Sequence, residues 1–427
     1  MTGPEGLGDM GRSQLAQLVP EFLLAGHLID RAGMPHVIGL LGRDGMRDVA
    51  IDEWMGASPV YSKRMQRALG FEGDSVVTIF KNIQIDIGSP PQFMDVRFHV
   101  QDRDHGEFWL DHCGALMDVE PMGTDYVTAM CHDIEDPTFD ATATASNPRA
   151  QVRPIHRPPR VPADRAPHCA WTVIIDPSHP VQQVPAQAVV MGATACARHQ
   201  LEPIDPNDPG THEYSGPLLS DLQFREWSAS ALRRIAEEVC LQGHLLALSF
   251  QAAMHARIDT EDEVREVSRR QFTGVAGVAA ARLRAALRLG AGLDDAARLL
   301  ALSPGLLPTS YTGCTVELGE SGERVIVRID RTAPAAADGA WPSLLDGDHL
   351  GPLDAIVGAV NRRYRCVVVE DEPSELVVLV VRGDDEVPVP DDVRLTEFST
   401  GADFTIADRG TPVVLRPGPR DLEAGSD

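Results

Sequence analysis

The feature that most constrains the fold of this 427-residue chain is an internal repeat. The segment EFLLAGHLI, residues 21–29, recurs as EVCLQGHLL, residues 238–246. A second match follows in the same order, between RDVAIDEWMGASPVYSKRMQRAL (47–69) and REVSRRQFTGVAGVAAARLRAAL (265–287). Ordinary composition gives roughly one or two chance identities over such a window. Two matches in one order indicate a duplicated unit, and a repeat of this kind determines the architecture as a whole.

Strand patterns follow the helical patterns in both copies. DVRFHVQDRDHGEFWLDHC and GCTVELGESGERVIVRID each place alternating strand residues around a polar turn. We therefore predict an α+β fold of two homologous units, each a helical layer followed by an antiparallel sheet, packed as a pseudo-dimer. The alignment places Gly56 opposite Gly274 and His27 opposite His244.

The repeat also sets the predicted domain boundaries. The first unit is predicted to span residues 12–180 and the second, degenerate unit residues 222–410. Pro, Asp, Asn and Gly interrupt residues 181–221, which are therefore predicted to form an irregular connector. Residues 411–427 are predicted to be a disordered tail.

Charge and hydropathy restrict the partners. The formal net charge of -25 at pH 7 repels nucleic-acid phosphates and anionic membrane surfaces. The N-terminus lacks the pattern of a secretory signal, and no segment has about 18 uninterrupted apolar residues. We expect a cytoplasmic protein that binds a small-molecule ligand or substrate and neither nucleic acid nor a membrane. An oligomer is compatible with the sequence.

Three of the seven cysteines lie beside histidines in the first unit, as His112-Cys113, Cys131-His132 and His168-Cys169. An odd number of cysteines in a reducing compartment favours free thiols or thiolate ligands over disulfides. Neighbours on a strand point to opposite faces, so an adjacent histidine is not thereby the base of a cysteine.

The second copy tests whether the fold needs these thiols. Aligned through GEFWLDHCG and GERVIVRID, it has Arg328-Ile329 where the first copy has a His-Cys pair. The fold therefore does not require them. We expect the first-unit thiols to surround one pocket and three others to be scattered, namely Cys240, Cys314 and Cys366.

Three interpretations of the thiol cluster remain open. Buried thiols are usually inert, and they occur in ligand pockets that catalyse nothing. A nucleophile with flanking thiols is the second interpretation. The third is a metal site, with zinc as a candidate ion, whose ligands would be Cys113, Cys131 and Cys169.

The same residues carry a family resemblance. Cys113, then Cys131 followed shortly by Asp133, then NPR at 147–149 and Cys169 leading into CAWTVII resemble the L-2-amino-thiazoline-4-carboxylic acid hydrolase family. That family is itself similar to the vinyl reductase domains, which bind small molecules. The resemblance covers residues 20–176, and Gly114 stands where the family pattern has a proline.

The resemblance implies a hydrolase that cleaves a C–N or C–S bond of a small heterocycle or amide. Cys113 or Cys131 would be the nucleophile, and Asp133 or His132 would be the base. The substrate-binding residues would be Arg157, Arg160 and Cys169, with either arginine orienting an acid group. The rival hypothesis is a small-molecule-binding or sensory module that never turns over its ligand.

Overall fold

The structure is a computed structural model that describes residues 3–319 and 324–397. The predicted tail and residues 398–410 of the predicted second unit lie outside the described residues.

The first half of the chain combines helices with one antiparallel sheet. Its helices are α1 (Arg12–Ala68), α2 (Val76–Gln84), α3 (Gly114–Val119), α4 (Thr124–Thr128) and α5 (Glu135–Thr144), with a π-helical turn at Ala129–Ile134 between the last two. Its strands are β1 (Met94–Val100), β2 (His105–Cys113), β3 (Ala150–His156) and β4 (Cys169–Ile175). They pair in the order β1-β2-β4-β3.

The second half repeats this arrangement after two short helices, α6 (Ala186–Gly192) and α7 (Ala195–Arg198), which lie within the predicted connector. Its helices are α8 (Ala229–His255), α9 (Glu261–Leu287), α10 (Leu293–Ala301), α11 (Thr309–Thr312), α12 (Pro334–Asp338), α13 (Gly351–Val360) and α14 (Asp391–Glu397). Its strands are β5 (Cys314–Leu318), β6 (Val325–Asp330), β7 (Tyr364–Asp371) and β8 (Glu375–Arg382). They pair antiparallel in the order β5-β6-β8-β7. The predicted α+β class is confirmed, and the two separate sheets are consistent with two units.

Helix α1 is a helical hairpin because its backbone breaks at Gly42, which has φ 71° and ψ -176°. Glycine adopts a positive φ without the steric cost that a side chain adds. A straight helix would separate residues 30 and 54 by about 36 Å at 1.5 Å per residue. The Trp54 indole Nε1 instead donates a hydrogen bond to Asp30 Oδ2 at 2.7 Å. The chain therefore reverses at Gly42, and α8 and α9 form the corresponding helix pair of the second half.

The two helix pairs pack on each other through reciprocal ion pairs. Arg282 Nε lies 2.6 Å from Glu21 Oε2, and Arg64 Nε lies 2.9 Å from Glu238 Oε2. The sequence alignment matches Glu21 with Glu238 and Arg64 with Arg282. Such exchange of partners is the pattern of an isologous interface. It supports the pseudo-dimer interpretation, while the duplication itself stays a prediction.

Histidines at aligned positions make similar contacts in the two halves. The His27 ring hydrogen-bonds the backbone of Ile87, and its centroid lies 4.5 Å from that of Phe93. His244 Nε2 lies 2.8 Å from the carbonyl oxygen of Leu307, and the ring lies 5.2 Å from Tyr311. Each histidine thus joins a long helix to the segment that precedes the first strand of its sheet.

No helix in the described ranges has both the length and the apolar character to cross a membrane.

Candidate functional site

The three first-unit thiols meet between the sheet and the helices. Cys113 ends β2, Cys169 begins the neighbouring β4, and Cys131 comes from the π-helical turn. All three are free and buried. The charge of Glu135 raises the pKa of each of the three thiols. The pKa of Cys131 is also raised by Cys113 and Cys169. The structure therefore brings these cysteines together.

The thiols are held in their neutral form. Burial, with a smaller effect of the Glu135 charge, raises the pKa of the Cys113 thiol to about 12. The same two causes raise the pKa of Cys131 and of Cys169 well above the ordinary thiol value. A thiol must ionise to be a good nucleophile or metal ligand. The cluster therefore does not provide the activated thiolate that the hydrolase hypothesis needs.

Glu135 is the carboxyl group whose charge acts on all three thiols. Its Oε2 atom is inaccessible to solvent and has no hydrogen-bond partner within the described part of the chain. Burial raises the pKa of this carboxyl to about 8, against the opposing effect of the Arg157 charge. The carboxyl is thus mostly protonated at neutral pH and adds no strong base to the cluster.

The metal interpretation gains no support from the geometry. Across residues 3–319 and 324–397, no three His, Cys, Asp or Glu side chains are arranged to hold a metal ion. Zinc therefore has no ligand set at Cys113, Cys131 and Cys169.

The histidines beside the thiols are engaged elsewhere. The Cys113 backbone N–H donates to His168 Nδ1 at 3.1 Å, so this ring nitrogen is an acceptor. Burial, assisted by the Arg160 charge, lowers the pKa of His168 to about 4. His132 Nε2 lies 2.6 Å from the Pro158 carbonyl oxygen. The predicted base His132 is therefore tied to the loop that precedes β4.

The other predicted site residues form ion pairs within the protein. Asp133 lies on the surface, and its carboxylate is 3.9 Å from Arg47. Arg160 donates two hydrogen bonds to Glu120, of 2.8 and 2.7 Å. The Arg157 guanidinium pairs with Asp136 and lies 5.9 Å from the Trp171 ring. Asp133 does not join the thiols, and both arginines already hold carboxylates of the chain.

A different site lies on the other side of the π-helical turn. A cavity of about 320 Å³ separates the α1 hairpin from α3, α4 and the π-helical turn, and α14 contributes to its wall. Its apolar wall includes Met34, Ile38, Met46, Met122, Met130 and Leu395. The described lining includes none of the first-unit cysteines. We call this cavity the hairpin pocket.

The floor of the hairpin pocket carries two acceptor groups one helical turn apart. His27 and Asp30 both line it from α1. Burial, and secondarily the Arg31 charge, lowers the pKa of His27 to about 4, so the ring is neutral at pH 7. Its Nδ1 has no hydrogen-bond partner among the described residues. A neutral ring that donates through Nε2 keeps Nδ1 as an acceptor.

Glu53 lies beneath Asp30 and is fully buried. Burial, followed by the Asp30 charge, raises the pKa of Glu53 far above its usual value. Burial also raises the pKa of Asp30 to about 6, while the neighbouring Glu53 and the hydrogen bond from Trp54 oppose that rise. Ionisation of both carboxyl groups of an adjacent pair is unfavourable, because the two negative charges repel each other. At neutral pH Glu53 keeps the proton and Asp30 carries the charge.

An ion pair in the wall of the hairpin pocket and a buried carboxyl group deeper in the protein are the other charged groups near Asp30. Arg31 lines the hairpin pocket, where its Nε is 3.3 Å from Asp118 Oδ2. Deeper in the protein, the Tyr61 hydroxyl donates to Asp86 Oδ1 at 2.8 Å. Burial raises the pKa of Asp86 to about 6. Because Arg31 is balanced by Asp118, the Asp30 charge dominates the pocket floor.

Sequence reasoning missed the hairpin pocket, although the repeat contains a signal for it. In the first copy HLIDR continues a buried apolar helix with charged residues, whereas the second copy reads HLLAL. The aligned residues are Asp30 with Ala247, Arg31 with Leu248 and Glu53 with Gln271. Charges present in one copy alone are not required by the shared fold.

Comparison of the chain with protein-family models, curated proteins and solved structures finds no match. The resemblance to the hydrolase family thus rests on the cysteine, NPR and strand motifs alone.

Proposed function

We propose that this protein binds a small molecule in the hairpin pocket and does not use its first-unit thiols for turnover. The observation that carries the proposal is the mostly apolar cavity of about 320 Å³ with acceptor groups on its floor. Ligand sites are typically concave and apolar, with a few convergent polar groups that fix orientation.

Hydrolysis of a C–N or C–S bond remains a second proposal with less support. The convergence of three thiols on Glu135 favours it, because these groups come from three separate segments. It requires a cysteine to ionise against the effect of burial and substrate to reach sulfurs outside the wall of the hairpin pocket. The binding module needs neither condition.

The binding proposal is tested with 2-phenylethanol, a neutral probe of suitable size and shape for the cavity. A compound of this size that fits well should bind with about 4 kcal/mol, or Kd about 1 mM. Ligand-observed NMR titration measures such an affinity. Ala115 lines the pocket and is partly exposed, so Ala115→Leu should fill space without a large loss of stability.

The matched control is Ala186→Leu, since Ala186 is exposed and lines a separate cavity between α6 and α8. Binding that falls at least about tenfold in Ala115→Leu and stays unchanged in Ala186→Leu supports the proposal. Absence of binding to the wild-type protein, or equal binding to both variants, would overturn it.

A further inference from the structure

We propose that Asp30 makes the hairpin pocket selective for a small apolar molecule that carries a protonated amine. This inference rests on the proposed binding function and names the class of ligand. Three features of the pocket lead to it: the hydrogen-bonding character of its floor, its unbalanced charge and the nature of its walls.

The floor of the pocket offers acceptors to a ligand. No group in the described structure donates a hydrogen bond to His27 Nδ1. The ring N–H of His27 donates its hydrogen bond to the backbone of Ile87. Asp30 accepts from Trp54 through Oδ2, and its Oδ1 atom has no hydrogen-bond partner among the described residues. A ligand group that fits here must donate hydrogen bonds, and an ammonium group has three N–H donors to offer.

The negative charge of the pocket floor favours a cationic ligand group over an anionic one. The Arg31–Asp118 pair is neutral overall, so the ionised Asp30 leaves the pocket with one unbalanced negative charge. A carboxylate or phosphate ligand would be repelled by this charge. Arg31 could not easily offset the repulsion, because its Nε and Nη2 atoms already pair with the Asp118 carboxylate. A cation instead supplies the missing counter-charge in a poorly hydrated site, where charge pairing is strongest.

The walls of the pocket fit the body of such a ligand. Met34, Met46, Met122 and Met130 line it, together with the ring of Tyr126. Methionine side chains are flexible and polarisable, so they adapt to apolar groups of varied shape. The wall thus accepts an alkyl or aromatic body, while Asp30 fixes the position of the amine.

The aligned positions of the second half show that these charges are not part of the scaffold. Ala247 and Leu248 are buried where the first half has Asp30 and Arg31. Gln271, aligned with Glu53, is fully buried, and its Nε2 donates to the Ile29 carbonyl at 3.1 Å. A helix pair of the same design therefore packs without the acids.

The test compares 2-phenylethylamine with its neutral isostere 2-phenylethanol by calorimetry or ligand-observed NMR at about pH 7.5, where Asp30 is ionised. We expect the amine to bind at least about tenfold more tightly than the alcohol. In Asp30→Asn the amine should lose this advantage, so that the Kd values of the amine and the alcohol agree to within about twofold. The matched control Asp133→Asn, at a surface carboxylate, should keep the preference.

A pH titration of the wild-type protein tests the same point without a substitution in the pocket. The groups that face Asp30 are His27 and Arg31 on its own segment, Glu53 and Tyr61 across the hairpin, Asp86 beyond α2 and Asp118 on α3. Protonation of Asp30 should reduce the preference for the amine below about pH 6. Asp86 titrates in the same range, so Asp86→Asn should retain this pH dependence.

The outcomes separate the two proposals. If the alcohol binds in the hairpin pocket but the amine binds no more tightly, the amine inference fails and the binding function stands. If the preference for the amine survives in Asp30→Asn, Asp30 is not its cause and the inference fails. If neither probe binds, the proposed function itself fails.

Discussion

The two halves of the chain have the same sheet order and reciprocal helix contacts, but they differ in what lies between their paired helices. The first half buries Asp30 and Glu53, whereas the aligned positions of the second half hold Ala247 and Gln271. Burying a carboxylate costs stability unless it is paired. The second helix pair packs without these acids, and their presence in the first half agrees with the proposed binding role. The comparison separates the residues that both halves use for packing from the charged residues that only the first half carries.

The largest change in the free energy of unfolding is expected at a pair of aligned glycines whose neighbouring atoms differ between the two halves. A methyl group on Gly26 would lie 2.4 Å from Ile87 Cγ2, whereas one on Gly243 would have Ile29 Cδ1 as its nearest atom, at 3.6 Å. We expect Gly26→Ala to lower the free energy of unfolding by about 1–3 kcal/mol, because overpacking strains the segment that holds His27. Gly243→Ala should be neutral or stabilising by up to about 1 kcal/mol. Urea unfolding measures both, and equal losses would mean that the two helices have equivalent environments.

The next effect concerns the stability cost of the pocket charge. Burial raises the pKa of Asp30 from 3.8 to about 6, so between these values the folded protein binds more protons than the unfolded chain. Stability from this group is full below about pH 4 and is lost as the pH rises through 6. Asp30→Asn should therefore be more stable than wild type by up to about 3 kcal/mol at about pH 7.5 and nearly equal at about pH 4.

The control for this experiment is Asp133→Asn, which should change the free energy of unfolding little at either pH, since surface charges contribute little. A loss of stability in Asp30→Asn that does not depend on pH would contradict the buried, charged state of Asp30.

The smallest effect is expected at the thiols, where the two halves should behave alike. Cys131 and Cys366 are both buried, and burial raises the pKa of each. We expect Cys131→Ser and Cys366→Ser to lower the free energy of unfolding by about 1 kcal/mol each. Neither should change 2-phenylethanol binding by more than about twofold. Loss of binding or of turnover in Cys131→Ser alone would instead favour the hydrolase proposal.

The repeat predicted the helix pairs and the antiparallel strands because hydrophobic periodicity reports directly on what a helix or strand buries. It also led to the expectation that Cys113, Cys131 and Cys169 share one location, since each lies at the end or start of an element. The sequence did not reveal whether these thiols ionise. Whether a thiol ionises depends on burial and on neighbours such as Glu135, which only the folded chain brings together.

The hairpin pocket escaped sequence reasoning for a geometric reason. Asp30 and Glu53 meet because α1 reverses at Gly42, and the sequence alone does not show which residues of the two helical segments then face each other. The wall contributed by Leu395 comes from the far end of the described chain. The readable signal was the loss, at the aligned positions of the second copy, of three charged residues of the first.

The most direct test of the central claim is a count of the protons released when 2-phenylethylamine binds. Calorimetry in buffers of different ionisation enthalpy gives this number. Because the pKa of Asp30 is about 6 in the folded protein, half of its carboxyl groups are protonated at that pH. Binding a cation there should release about half a proton at pH 6, almost none at about pH 8, and none at either pH in Asp30→Asn. No release from the wild-type protein at pH 6, or equal release from Asp30→Asn, would contradict the assignment of Asp30 as the charged floor of a ligand pocket.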